Sequence, residues 1–168
     1  MPSLARIRPK SELAPITVDW ELEFTRAPTK KALVYWRSLC RGRAMPARSE
    51  LSPRAMQAFL PYVSVVDVVP DRVHGFEYIV SLQGTHPTEV LGHVKGRRLG
   101  DVLSRELAER WRGCFEHARA AAAPVRLLTR ASTLAKNWLA CEVLIAPLAN
   151  EAGQMQSLFW VFAAWRAE

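Results

Sequence analysis

The sequence lacks the short motifs that mark most enzymes. It has no Gly-x-Ser-x-Gly, no Walker loop and no Gly-x-Gly-x-x-Gly, which removes the common routes to hydrolase, nucleotide-hydrolysing and dinucleotide-binding chemistry. Cysteine is scarce: Cys40, Cys114 and Cys141 are odd in number and far apart. They read as small buried hydrophobes in a reducing compartment rather than as disulfide halves. There is no Cys-x-x-Cys or His-x-x-x-His pair, and His86 and His93 stand seven apart, so no metal centre is expected. No run of five like charges occurs. No apolar stretch approaches the roughly 18 residues of a membrane span, and "MPSLARIRPKSELAP" lacks the apolar run of a signal peptide. The expected location is the cytoplasm, with no membrane contact.

What is present is a chain of 168 residues that is 49% hydrophobic and carries six tryptophans. That suits one domain with a substantial core and argues against disorder. The net charge of +7 speaks to solubility and to non-specific attraction for anions, not to a binding mode.

Patterning divides the chain into three parts. Residues 1–27 form an extension whose first nine or so residues read as a loose tail. Within it Ile16, Val18, Trp20, Leu22 and Phe24 alternate as in an extended segment. Residues 28–61 read as two lead-in helices. Thr29 is the expected N-cap of the first, which carries Leu33, Trp36, Leu39 and Cys40 on one stripe and stops at Gly42. Ser52-Pro53 starts the second, with Met56, Phe59 and Leu60, and Pro61 closes it. Residues 62–168 read as the core: strands at 62–69 and 75–85, short helices over 86–103, and a long helix at 104–122. Three strands follow at 125–130, 138–148 and 157–165. Runs of strands and helices without strict alternation indicate an α+β domain with a mostly antiparallel sheet.

The strand faces ask for more cover than one helical layer gives. Leu139, Cys141, Val143 and Ile145 form one apolar side of the fifth segment, yet Trp138, Ala140 and Leu144 lie on the other. Strand 158–165 is apolar on both sides. A sheet greasy on both faces needs a second layer, and the helix from Thr29 to Arg41, or a partner subunit, is the expected one. Glu142 falls on the less apolar side and is expected to pair with an arginine of the lead-in helix rather than act as an acid or base.

This element order is that of a PAS domain, and the residues resemble one bacterial PAS family over about 30–165. "YWRSLCRGRAMPARSELSP" is similar to its lead-in helix and "MPAR" joint. "FLPYVSVVDVV" and "FEYIVSLQGT" are similar to its first two strands, the latter ending in Gly84-Thr85. "LGHVKGRRLGDVL" is similar to its short-helix region and "EVLIAPL" to its penultimate strand. The resemblance implies a five-stranded antiparallel sheet with helices cupping one face and an N-terminal helical extension. It implies a stand-alone sensor or adaptor in bacterial signalling, often ligand-binding and often a homodimer through the N-terminal helix. Because the domain fills most of the chain, output is expected through a partner protein or a dimer rearrangement.

Family membership does not fix a ligand, and the cofactor is left open. Residues 86–103 hold no cysteine for a flavin adduct. His117 sits on the long helix where haem-binding PAS domains commonly place an axial ligand, but the preferred reading is a partly exposed helix histidine. The expected ligand-binding residues are Tyr78, Val80, Leu82, Trp111, Phe115, Leu127 and Val143, with Tyr78 as the polar handle. Two readings compete with the sensor. One is a nucleic-acid-associated regulator using Arg37, Arg41, Arg43, Arg48 and Arg54. The other is a small enzyme on a PAS-like scaffold.

Overall fold

Side-chain turns build the hairpins of the sheet. Asp71 ends β2 (Val63–Asp71) and its carboxylate accepts the backbone N–H groups of Val73 and His74, turning the chain into β3 (Gly75–Gln83). Asn150 does the same for Ala152 and Gln154, between β5 (Leu139–Ala149) and β6 (Met155–Arg166). Such Asx turns satisfy the backbone locally. The molecule is known from a computed structural model that describes residues 16–131 and 139–166. The expected N-terminal tail and Trp138 lie outside the described residues.

Two more strands, β1 (Thr17–Asp19) and β4 (Val125–Ala131), complete one antiparallel sheet in the order β1-β4-β5-β6-β2-β3. The sheet therefore has six strands rather than five. The additional one comes from the N-terminal extension, where Thr17–Asp19 pairs with Arg126–Leu128 and covers the edge of β4. Unpaired edges invite foreign strands, so this short addition blunts one. The alternation running on to Phe24 does not prolong β1: Trp20 is exposed and Leu22 adopts a left-handed backbone, φ 62°.

The helices are α1 (Ala27–Cys40), α2 (Thr85–Leu91), α3 (Leu99–Val102) and α4 (Arg105–Ala121). Ser104 caps α4, its hydroxyl accepting the Leu107 N–H. α1 begins one turn earlier than its expected cap. Arg26 is its N-cap residue and Thr29 lies inside the first turn, buried, its hydroxyl oxygen 3.1 Å from the Arg26 carbonyl oxygen. At the far end Arg41 (φ 49°) and Gly42 (φ 81°) both enter the left-handed region and stop the helix. The expected second lead-in helix is absent as a regular helix. Residues 53–59 form consecutive turns between two short 3-10 segments, Arg48–Glu50 and Leu60–Tyr62, although Ser52 does accept the Ala55 N–H as a cap would.

Two cores flank the sheet. On one face α2, α3 and α4 cover Val66, Tyr78, Val80, Val143, Trp160 and Phe162. On the other, Ala32, Leu33 and Trp36 of α1 meet Val63, Val65, Leu144, Leu148, Phe159 and Val161. The second cover is thus supplied by α1 within the same chain. Fully burying a large side chain such as Leu33 or Phe159 contributes about 1.5–3 kcal/mol, so α1 is an integral layer. The Trp36 indole also donates to the Pro147 carbonyl at 2.9 Å.

The "MPAR" joint is fastened to the sheet's end. Pro46 is buried and its carbonyl accepts the Ala149 N–H at 2.8 Å, and Ala47 makes a parallel bridge to Ala149. Arg48 reaches Asp67 of β2 at 3.0 Å and Ser81 of β3 at 2.7 Å.

Gly84, between β3 and α2, is required by space. A Cβ there would stand 2.4 Å from the Pro61 carbonyl oxygen and 2.8 Å from that of Val63. Both obstacles are backbone and cannot rotate away. Gly84→Ala is expected to destabilise the fold by about 1–3 kcal/mol, read as a lower urea midpoint with an unchanged slope.

Candidate functional site

The aromatic side of the sheet carries the expected ligand residues. Tyr78 and Val80 of β3, Trp111 and Phe115 of α4, Leu127 of β4 and Val143 of β5 are all buried in one cluster. Leu82 does not join them. The β2–β3 register shifts between Val65 and Val66, so that Val66 faces Val80 while Val65 faces Leu82, and Ser81 is the extra residue. A bulge of this kind breaks the period-two alternation, and Leu82 emerges 38% exposed.

Aromatic rings fill the middle of the cluster. Trp111 meets Trp160 edge-on at 4.8 Å between centroids, Phe115 meets Trp160 at 5.0 Å, and Tyr78 meets Phe115 at 5.1 Å. Tyr78 is fully buried and its phenol donates to the Glu116 carboxylate. Burial first, and then that neighbouring carboxylate, push the phenol well above its ordinary pKa. Glu116 is bound by Arg119 at 2.6 Å, and Arg119 stacks over Phe76 at 4.2 Å. Tyr78 is therefore a neutral donor tied to a charged pair at the edge of the cluster.

Four buried polar side-chain atoms have no hydrogen-bond partner among the described residues: the indole nitrogens of Trp111 and Trp160, the hydroxyl of Ser64 and Nε of Arg112. Ser64 lies directly opposite Trp160 in the β2–β6 ladder, and Trp160 touches Trp111. A buried donor without a partner costs about 1–3 kcal/mol, so three neighbouring ones mark this spot as unusual.

The remaining titratable groups have plain assignments. Burial pushes the Cys114 thiol up to about 12, which leaves it an inert hydrophobe. His117 is exposed on α4, edge-on to Trp20 at 6.3 Å. His86 stands in the first turn of α2. Its Nε2 accepts the Ala164 N–H at 3.0 Å, and its ring lies 4.7 Å from Tyr62 and 5.9 Å from Phe162. Asp71, His74 and Glu77 bring three ligand-type atoms within 4.8 Å of one another. Their charge is already met by guanidinium groups, Arg112 on Glu77 at 3.2 Å and Arg98 beside Asp71 at 3.8 Å.

Across the sheet, Glu142 of β5 is the centre of a second polar cluster. It is fully buried, and its carboxylate accepts the backbone N–H groups of Thr25 (2.9 Å) and Arg26 (2.9 Å) and the hydroxyls of Thr25 and Thr29. Its ionic partner is Arg126 of β4, at 2.9 Å, not an arginine of the lead-in helix. Arg126 also reaches Asp19 of β1 at 3.2 Å. Burial works against ionising Glu142, but the Thr29 hydroxyl, the Arg26 and Thr25 N–H groups and Arg126 outweigh it and hold the carboxyl below its ordinary 4.5. With every oxygen engaged, this carboxylate is a structural anchor. Sequence periodicity placed it on the correct face. Its arginine could not be picked out, because a cross-strand neighbour is set by register rather than by spacing along the chain.

Of the five arginines considered for nucleic acid, all are exposed, but two serve the fold. Arg43 binds Glu50 at 2.7 Å and the carbonyls of Leu39 and Cys40, and Arg48 binds Asp67 and Ser81.

A six-stranded antiparallel sheet carrying helices on one face and a lead-in helix on the other is a PAS-type α+β architecture. The chain belongs to the PAS domain family, whose model matches residues 24–163. No match is found among curated proteins. Among solved structures, one similar chain is an RNA-binding light-oxygen-voltage receptor, with 17% identity and a TM-score of 0.45. That match covers 70% of this chain and 36% of the receptor, so the chain spans about a third of the receptor's length.

Two pH responses follow. The folded state favours ionised Glu142 more than the unfolded chain does, so this stabilisation is complete above 4.5 and is lost as pH falls through the lowered folded value. Glu142→Ala removes the fully buried partner of Arg126, leaving it Asp19 alone, and is expected to cost about 3–5 kcal/mol, with faster amide exchange in the first two turns of α1. Burial, against the pull of Glu89, holds His86 below its ordinary 6.5. Its contribution is therefore complete above 6.5 and declines as pH drops below it. In thermal melts across that range, His86→Gln, which keeps an acceptor but cannot titrate there, is expected to flatten the pH dependence.

Proposed function

We propose that the protein is a sensor module that takes a small, acceptor-bearing molecule into the α4-side core and passes its state to α1. The three unpartnered polar atoms of Trp111, Trp160 and Ser64 carry this reading. Two indole N–H donors and a hydroxyl inside an aromatic cluster suit a flat or compact ligand with carbonyl, carboxylate or ring-nitrogen acceptors. Tyr78, Val80, Phe115, Leu127 and Val143 would supply its apolar surroundings. Leu82 is left out because it points away from the cluster.

The output route lies in β5. Val143 and Ile145 belong to the aromatic core, while Glu142 and Leu144, between and beside them, belong to the α1 side. A displacement of this strand by a ligand would be felt directly at the N-terminus of α1. The readout would then be a partner protein or a second copy meeting α1. This is a binding role: the buried carboxylates are held in ion pairs or hydrogen bonds, an arrangement suited to stability rather than proton transfer.

Native mass spectrometry of the protein, before and after incubation with a metabolite extract, is expected to show a retained small molecule. Trp111→Phe and Trp160→Phe keep an aromatic ring but delete the donors, and each is expected to weaken retention about tenfold, the loss of one hydrogen bond to a buried donor. Retention that both variants leave unchanged, or no ligand-dependent mass at all, would exclude this site.

A further inference from the structure

We infer that the outward ridge of α1 docks an acidic, amphipathic helical segment of a partner protein. This surface lies across the sheet from the aromatic core, so it is independent of whether that core takes a ligand.

A groove of about 480 Å³ runs between α1 and the turns at 53–59. Its floor is the pair Tyr35 and Phe59, 5.9 Å apart, with Tyr35 fixed by accepting the Ser52 N–H at 2.9 Å. One wall is small, Ala55 and Ala58, which lets another backbone approach closely. The other wall is the α1 ridge that carries Val34, a large apolar side chain left 68% exposed in the middle of a helix. Both walls are made of side chains from a helix and a run of turns, with no strand among them. What they can recognise is an apolar side-chain stripe, as when an amphipathic helix lies in a groove.

Charge selects the occupant. Lys30 and Lys31 line the groove beside Val34 and are exposed, and Arg54 adjoins Ala55. A second copy seated by a two-fold axis would bring the same lysines against the same patch, on a chain of net charge +7. Residues 1–15 carry Arg6, Arg8 and Lys10 against Glu12 alone, so they too are matched poorly. A segment with Leu-like residues along one side and Asp or Glu flanking them meets both the apolar floor and the basic rim. Rim charges of this kind set partner choice and encounter rate more than they set affinity.

The test is selection of random displayed peptides on the full-length protein, followed by fluorescence anisotropy of the enriched sequences. Enriched peptides should carry apolar residues three and four apart, flanked by acidic ones. Val34→Glu, an exposed change that should leave the melting curve in place, should weaken binding at least tenfold. The pair Lys30→Glu and Lys31→Glu should weaken it about tenfold at low salt, and should restore binding to the same peptide with its acids changed to lysine. Failure to enrich any peptide would overturn the proposal, as would peptides indifferent to Val34→Glu and to the lysine reversals. A dimer in sedimentation velocity that Val34→Glu separates would overturn it in favour of a second copy. None of these outcomes depends on Trp111 or Trp160, so a failed core-ligand test leaves this one standing.

Discussion

One buried carboxylate joins the layers of this protein. Glu142 sits in the middle of β5, where an isolated charge would be prohibitively costly to bury. It is tolerated because it receives donors of different origin. Arg126 comes from the neighbouring strand, the Thr25 and Arg26 N–H groups come from the entry to α1, and the Thr29 hydroxyl comes from its first turn. A helix N-terminus presents N–H groups that no intrahelical carbonyl can satisfy, and a partial positive charge with them. Glu142 answers both needs at once. α1 has no capping side chain of its own and no acidic residue in its first turn; the sheet provides what the helix sequence omits.

This dependence explains why α1 is fixed in angle and register as well as buried. The Trp36–Pro147 hydrogen bond and the Ala47–Ala149 bridge pin its other end and the joint that follows. α1 is thus held at both ends by the same strand, β5, through residues 142 and 147–149. Val143 and Ile145, between these anchors, contact the opposite core. A strand whose alternate residues serve two cores cannot shift for one without moving the other, because close-packed interiors transmit small displacements. That coupling is a property of the packing.

The two faces differ in character. The α4 side is a stack of aromatic rings with polar atoms left over inside it. The α1 side is aliphatic and aromatic packing whose buried carboxylate, Glu142, is satisfied by the equally buried Thr29 and Arg126 and by backbone N–H groups. Unmet buried donors are costly to keep, so their concentration on one face sets the α4 side apart from the α1 side, where the buried carboxylate is fully paired. Outside both, the α1 ridge presents Val34 and its lysines to solvent.

Much of this was legible in the sequence. Period-two runs located five strands, the 3.6-residue stripe located α4 nearly to its ends, and apolar residues on both strand faces required a second cover that α1 provides. Tyr78, Val80, Trp111, Phe115, Leu127 and Val143 were placed together because alternation and helical spacing hold through them. Leu82 was misplaced because the bulge at Ser81 leaves no mark in composition. The short β1 was seen only as an extended segment, since a three-residue edge strand is defined by its partner. Ser52-Pro53 signalled a start, and the chain made turns there instead. Periodicity, hydrophobic faces and family could be read before any fold was known, because those depend on neighbours along the chain. That Arg126 meets Glu142, that β5 anchors α1, and that the Trp111, Trp160 and Ser64 polar atoms lie unpaired near one another depend on register and burial, which bring those groups together from distant parts of the chain.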